Sequence, residues 1–270
     1  MKSTRTRDMG RDIKNRAVFD SAAEFYDKYR PHYPEDLFND LVNKTHLTSA
    51  ATILEIGPGT GQATTSMAKR GYNITAVELG EELAKIAKQN LSVYPNVKIT
   101  VGSFENTPLA DNHFDLVYSA TAFHWIGPKF RYQKTYEISK PNGYLAIIQT
   151  NHVSDNNGDK LFIASQPIYD KYLINNDSKT GSLPQIKDLE PTSDLDKKLF
   201  RLVSFDCYPL VITYSAEDYA NLLGTHSPQL ALPRQARESF LREIRNLIKT
   251  EFNGSFTKHY SMSLTLAQKI

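Results

Sequence analysis

The 270-residue chain has one cysteine, Cys207. A disulfide framework and a cysteine-rich zinc site are therefore excluded, and the composition fits a reducing, cytoplasmic compartment. No stretch approaches the ~18 uninterrupted apolar residues of a membrane span. Lysine and arginine total 32 against 30 aspartates and glutamates, a net charge of +2, so no basic excess calls for a nucleic-acid partner. The opening "MKSTRTRDMGRDIKNR" lacks the apolar core of a secretory signal, and its Asp8 and Asp12 are foreign to an organellar transit peptide. Residues 1–18 read as a basic, solvated terminal arm rather than a polyanion-binding one. His32, His46, His113, His152 and His259 are scattered, and none stands at a metal-ligand spacing from another histidine or an acid, so no metal is expected. Internal repeats and low-complexity tracts are also missing.

Present instead is 40% hydrophobic and 11% aromatic residues, enough for a sizeable core in one domain over 19–270. Residues 52–150 alternate strand-like and helix-like patterns. "TILEI", "NITAVE", "NVKITVG", "FDLVYSA" and "GYLAIIQT" read as strands, the third as a half-exposed edge because Val97, Ile99 and Val101 alternate with Lys98 and Thr100. Between the second and third, "EELAKIAKQNL" sets Leu83, Ile86, Ala87 and Leu91 on one helical face, with Glu81 and Lys85 paired a turn apart. Repeated strand–helix units imply a mainly parallel sheet covered by helices on both faces. The pattern breaks after residue 150. Residues 151–235 read as a substrate or lid insertion, with "LFIASQPIYDKYL" as one or two short helices. "YPLVITYS" (208–215) reads as a strand, Ser215 as the cap of the helix that follows, and "RQARESFLREIRNLIK" as an amphipathic helix. "SFTKHYSMSLTLA" (255–267) reads as a closing, alternating strand.

The first strand runs into glycine at every second position: "ILEIGPGTGQ", residues 53–62. Strand, glycine-rich turn and helix form the architecture of a nucleotide site, because glycine permits positive φ and close approach of a ligand. A dinucleotide site asks for a third glycine where this chain has Gln62, and Pro58 removes an N–H from the loop. Glu78, ending the second strand, is placed to accept both ribose hydroxyls of an adenosine. That reading fits NAD and S-adenosylmethionine alike.

"ILEIGPGTGQ", "AVELG", "GSFENTPLADNHFDLVYSATAFHWI" and "KPNGYLAII", in this order, resemble the motifs of the S-adenosylmethionine-dependent methyltransferases with a Rossmann-like fold (class I, methyltransferase type 11). Within them the chain resembles the small-molecule branch that includes trans-aconitate methyltransferase. The likeness covers about residues 19–150. The segments "VFDSAAEFYDKYRPHYPEDL" and "YSAEDYANLLGTHSPQLALP" resemble that branch's flanks. The resemblance implies an α/β three-layer sandwich: a seven-stranded, mainly parallel sheet with an antiparallel last strand, and a helical insertion after the fifth strand. It implies S-adenosylmethionine as cofactor, without a metal. Glu55 would orient the loop and meet the methionine ammonium through water, and the backbone at Gly57, Gly59 and Gly61 would wrap methionine and ribose. Glu78 would hold the ribose, Leu79 pack on the adenine, and Ser103 and Phe104 contact it. Ser119 and Ala120 would offer backbone groups to the methionine end, while Tyr26 and Arg30 close over the cofactor.

Methyl transfer from a sulfonium is an in-line displacement that chiefly requires a positioned nucleophile. A carboxylate acceptor needs no base; a phenol, hydroxyl or amine often does. His124, in "AFHWI" after the fourth strand, is the candidate for proton transfer, or with Trp125 for positioning. Tyr33, Trp125, Tyr214, His226 and Tyr260 are candidates for the wall of a small-molecule cavity. The chain points to transfer to a carboxylate or hydroxyl oxygen of a small molecule. Nucleic-acid or protein methylation and NAD-dependent oxidoreduction are the alternatives. Against the former, no [DN]-P-P-[YFW] segment follows the fourth strand. Nothing in the chain chooses between monomer and homodimer.

Overall fold

The computed structural model describes residues 17–172 and 182–270. Of the basic arm, residues 1–16 lie outside the described residues, as do 173–181 of the insertion. The chain begins with a 3₁₀ turn, Ala17–Ala22, then α1 (Ala23–Tyr29) and α2 (Glu35–Thr45). Strand and helix then alternate through β1 (Thr52–Ile56), α3 (Gln62–Ala68), β2 (Asn73–Glu78), α4 (Glu81–Asn90), β3 (Val97–Val101), β4 (Phe114–Ala120), α5 (Pro128–Ile138) and β5 (Ser139–His152). The remainder is α6 (Lys160–Tyr172), β6 (Phe200–Ser215), α7 (Ala216–Leu223), α8 (Ser227–Leu230), α9 (Arg234–Glu251) and β7 (Ser255–Lys269).

The seven strands lie in the order β3-β2-β1-β4-β5-β7-β6. The first five are mutually parallel, and β7 runs antiparallel to both β5 and β6. Strand order reverses between β1 and β4, which makes the space beyond their carboxyl ends the switch-point crevice of an open α/β sheet. Alternation along the strands fills both faces. Ile53 and Tyr118 pack with Leu37, Phe38 and Met67 of α2 and α3. Leu54, Ile56 and Val117 pack with Phe104, Phe123 and Tyr132 on the other side. A third cluster caps the sheet: Phe240, Ile244 and Ile248 of α9, spaced four apart and fully buried, meet Tyr219 of α7, Leu161 of α6 and Tyr260 of β7.

Several local expectations change. Lys85 pairs with exposed Glu82 at 3.4 Å rather than with Glu81. Of the one or two short helices expected over "LFIASQPIYDKYL", the structure has one: its described residues, 161–172, lie in α6, which continues through Pro167. β6 begins at Phe200, not 208; as an edge strand with mostly half-exposed residues it carries no clean alternation. β7 alternates only in its first half. From Tyr260 to Ala267 it is continuously buried, because strands flank it on both sides and both faces are covered. The Ser215 cap is present: its hydroxyl accepts from the Asp218 N–H at 3.1 Å.

Candidate active site

The loop after β1 is held in shape by its own glycines. Gly57 and Gly59 have φ of +70° and +61°, a region that L side chains rarely adopt. A Cβ on Gly57 would lie 2.6 Å from the Ala122 Cβ, across the switch point; one on Gly59 would lie 3.1 Å from the Tyr26 ring. The backbone here is therefore pressed against β4's exit on one side and the entry helix on the other. Gly61 instead backs onto Leu91 and is not on the cavity wall.

Glu78 ends β2 beside this loop. One carboxylate oxygen accepts from the Gly59 N–H at 2.9 Å and the other from the Gly80 N–H at 2.9 Å. The side chain is 6% exposed; burial raises its pKa, and these backbone donors oppose the rise. Glu55 lies wholly buried beneath the loop. The hydroxyls of Thr64 and Tyr118, each at 2.6 Å, both donate to one of its oxygens, and the other oxygen has no partner. Burial, and secondarily the Glu78 charge, pushes its pKa up to about 7 despite those two bonds.

A cavity of about 940 Å3 opens from the loop toward the α6–α9 cap. Gly57, Gly59, Glu78, Leu79 and Phe104 lie on its wall, as do Tyr26, Arg30, Tyr33, His124, Trp125, His226 and Tyr260. Six expected residues do not. Glu55 and Gly61 support the loop from behind. Ser103 is turned inward, its hydroxyl accepting from the Asn106 N–H at 3.3 Å, and leaves the wall to Gly102 and Phe104. The Ser119 hydroxyl donates to the Ile56 carbonyl at 2.8 Å, tying β4 to β1, and with Ala120 stands behind Thr121 and Ala122. Tyr214 lies behind Tyr260, hydroxyl to hydroxyl at 3.4 Å.

The entry segment forms a roof. Asp20 accepts from the Leu83 N–H at 3.0 Å and so caps the first turn of α4. Asn90 donates both to Asp27 and to the Thr60 carbonyl of the glycine loop, each at 2.9 Å. Phe19 meets Trp125 edge-on at 5.4 Å and Tyr26 at 6.3 Å, and the Arg30 guanidinium lies 4.8 Å over the Tyr26 ring. Arg30 is the first residue beyond α1, in extended conformation, and donates to the Thr225 hydroxyl and carbonyl at 2.9 and 2.8 Å. It thereby joins the roof to the α7–α8 corner.

Thr121 leaves β4 with φ of +58°, a costly conformation for a β-branched residue. Its hydroxyl lies between those of Tyr33, at 3.0 Å, and Thr150, at 3.1 Å. His124 follows on a 3₁₀ turn, tilted against Trp125 at 5.2 Å. A second polar group comprises His152, His226 and Lys258. His152 and His226 are 6.3 Å apart, and the Lys258 ammonium is 5.5 Å over the Tyr260 ring. His152 lines the cavity and is exposed along it. Burial, then Lys258 and Arg30, lowers its pKa to about 3, and burial likewise holds His226 well below the usual range.

Sequence reasoning overlooked Phe19, Thr121, His152 and Lys258. Phe19 carried a signal, being an aromatic in the entry segment. The histidines at 152 and 226 are far apart in sequence and meet only through β5 and the α7–α8 corner. Gln62, which breaks the dinucleotide spacing, lies on the wall as the first residue of α3, and its amide nitrogen is buried without a partner. Among the described residues no group of three or more His, Cys, Asp or Glu is arranged to hold a metal. No described helix is long and apolar enough to cross a membrane.

The unpartnered Gln62 amide on the cavity wall, the glycine cradle and the acid at the end of β2 fit a ligand that brings an adenosine and an amino-acid end to this loop. Residues 54–147 match a family described as a methyltransferase domain. An uncharacterized methyltransferase of Schizosaccharomyces pombe is 29% identical over 232 residues, 83% of this chain and 84% of that one. A malonyl-[acyl-carrier protein] O-methyltransferase of a Marinomonas strain is 30% identical over 133 residues, 48% of each chain. Phosphoethanolamine N-methyltransferase 2 of Haemonchus contortus, solved with phosphomonomethylethanolamine and S-adenosylhomocysteine, superposes with a TM-score of 0.52 at 14% identity, over 96% of this chain and 60% of that one. This last likeness shows the shared fold.

Proposed function

The chain belongs to the S-adenosylmethionine-dependent methyltransferases of Rossmann-like fold, and from that premise we propose that it methylates a carboxylate or hydroxyl oxygen of a small molecule held in the 940 Å3 cavity. The observation that carries the reading is the cavity itself. It runs without interruption from the glycine loop to Arg30, His226 and Lys258, roofed by Phe19, Tyr26 and Trp125. Bound at the loop, S-adenosylmethionine supplies an electrophilic methyl group on a sulfonium with a neutral thioether as leaving group. The protein's part is to bind, orient and exclude water.

Glu78, already fixed by two backbone donors, is placed to accept ribose hydroxyls with its remaining lone pairs. Leu79, Phe104 and Gly102 offer a flat apolar slot for adenine. Gln62 is the group for the amino-acid end, and Glu55 acts from behind the loop, which it braces through Thr64 and Tyr118. Tyr26, packed on Gly59 and under Arg30, closes the cradle against solvent. His124 and Trp125 shape the wall that orients the acceptor, while Tyr33, Thr121 and Thr150 line it with linked hydroxyls. Arg30 and Lys258 give the cavity positive charge, which favours an anionic acceptor, and a carboxylate oxygen needs no proton removed before attack.

The test is a panel of carboxylic acids, phenols and small amines incubated with methyl-labelled S-adenosylmethionine. Label should pass to oxygen of a carboxylic acid or hydroxyl compound. Transfer only to nucleic acid or protein would overturn the proposal.

A further inference from the structure

Four cationic or proton-accepting side chains reach one region of the cavity from four separate elements: Arg30 beyond α1, His152 at the end of β5, His226 before α8 and Lys258 on β7. Nothing in the methyl-transfer reading of the glycine loop requires them. Among the described hydrogen bonds, Arg30 is anchored to Thr225, but neither imidazole nor the Lys258 ammonium is engaged. Both imidazoles lie beneath the cap, 6.3 Å from each other, and His152 is stacked at a tilt 5.2 Å from Tyr260. The other charged and titratable groups of this region are Asp155 and Asp159, on the loop after β5, with His259 and Tyr260 on β7. Asp155 and Asp159 are turned into their own loop, where they accept from its backbone N–H groups. Arg30, Lys258 and two histidines without described hydrogen-bond partners, facing a cavity and balanced among the described residues of this region by that pair of acids, are suited to receiving negative charge from a ligand.

We propose that His152 and His226, backed by Arg30 and Lys258, receive an anionic group of the acceptor, and that the imidazole pair takes up a proton as the acceptor binds. This inference rests on the methyltransferase reading but concerns only the acceptor side of the cavity. The physical basis is reciprocal. In the free protein, burial and the neighbouring cations keep the imidazoles neutral. An anion seated among them offsets the cations and favours imidazolium. By linkage, an acceptor that brings a proton onto the protein must bind more tightly as pH falls, by up to about tenfold per pH unit for each proton taken up. Lys258, with its pKa lowered by burial to about 8, is already protonated at pH 6 whether or not the anion is bound. Lys258 therefore adds nothing to proton uptake at pH 6, and removal of both imidazoles is what assigns that uptake to them.

The experiment uses the full chain saturated with S-adenosylhomocysteine and titrated calorimetrically with fumarate, which carries both charges throughout pH 6–8. Buffers of different ionisation enthalpy count the protons. Fumarate should bind with proton uptake at pH 6 and several-fold more tightly there than at pH 8, while uncharged fumaramide should not bind. In the His152→Gln/His226→Gln double variant the pH 6 uptake should vanish and the pH dependence flatten, with S-adenosylhomocysteine affinity unchanged. Fumarate binding without proton uptake, undiminished uptake in the double variant, equal binding of fumaramide, or no fumarate binding would each overturn the inference. Failure of S-adenosylhomocysteine itself to bind would instead strike the methyltransferase reading.

Discussion

Replacing Glu78 by glutamine changes few atoms and separates the role the structure shows for this carboxylate, bracing the loop, from the role proposed for it, holding the ribose. Each oxygen now accepts a backbone N–H at 2.9 Å, from Gly59 and from Gly80. Glutamine can accept only one of them; the other N–H would face an amide NH₂. Leaving a buried donor unsatisfied costs about 1–3 kcal/mol, and for a domain of this size each kcal/mol lowers Tm by about 2–4 °C. The same exchange removes the proposed charge-assisted bonds to ribose hydroxyls, worth about 1.5–3 kcal/mol each, so S-adenosylhomocysteine should bind about 10- to 100-fold more weakly. Differential scanning calorimetry of the free protein and titration with S-adenosylhomocysteine measure the two effects independently. A variant with native Tm and native Kd would refute the reasoning, because it would mean that the acid is already neutral in the native state and donates no charge to the site.

Three other perturbations probe neighbouring parts of the account. Glu55, with its pKa raised from 4.5 to about 7, makes the free protein most stable below pH 4.5 from this group's contribution and loses that contribution as pH rises through 7. Melting curves from pH 5 to 8 should therefore slope less in Glu55→Gln than in the native chain, and equal slopes would refute the assignment. Gly57→Ala places a Cβ 2.6 Å from Ala122 at φ +70°. It should displace the loop and weaken S-adenosylhomocysteine binding by about tenfold or more, with about 1–2 kcal/mol lost from the left-handed backbone alone. His124→Ala should lower kcat by less than about tenfold if the acceptor is a carboxylate that the histidine only positions, whereas a general base would cost about 10²–10⁴-fold.

How much of this was legible in the sequence depended on whether the signal was local. β1, the glycine turn and Glu78 announce themselves within 27 residues, 52–78, because a buried strand, a positive-φ turn and an acid at the next strand's end are each local patterns. The α9 face was equally plain, since its apolar residues recur at helical spacing. What failed was register and reach. The start of β6 was missed because an edge strand is not required to alternate. Ser103 sits between the wall residues Gly102 and Phe104 in the turn after β3 but its hydroxyl turns inward to accept from the Asn106 N–H, and Ser119 stops two residues short of the wall at Thr121, so proximity in sequence misplaced both. His152 and Lys258 come together because β7 pairs with β5, and His226 reaches them from the α7–α8 corner, a meeting without a local signature. Thr121 was hidden for a different reason: its strain is a property of backbone geometry that no residue type reveals.

The central claim, that the loop after β1 cradles an adenosine carrying a sulfur-linked amino acid and not a pyrophosphate, is tested most directly by calorimetric titration of the native chain with S-adenosylhomocysteine and, in parallel, with NADH. The account predicts one site of micromolar affinity for S-adenosylhomocysteine and no heat from NADH. Saturable binding of NADH with S-adenosylhomocysteine silent would contradict it.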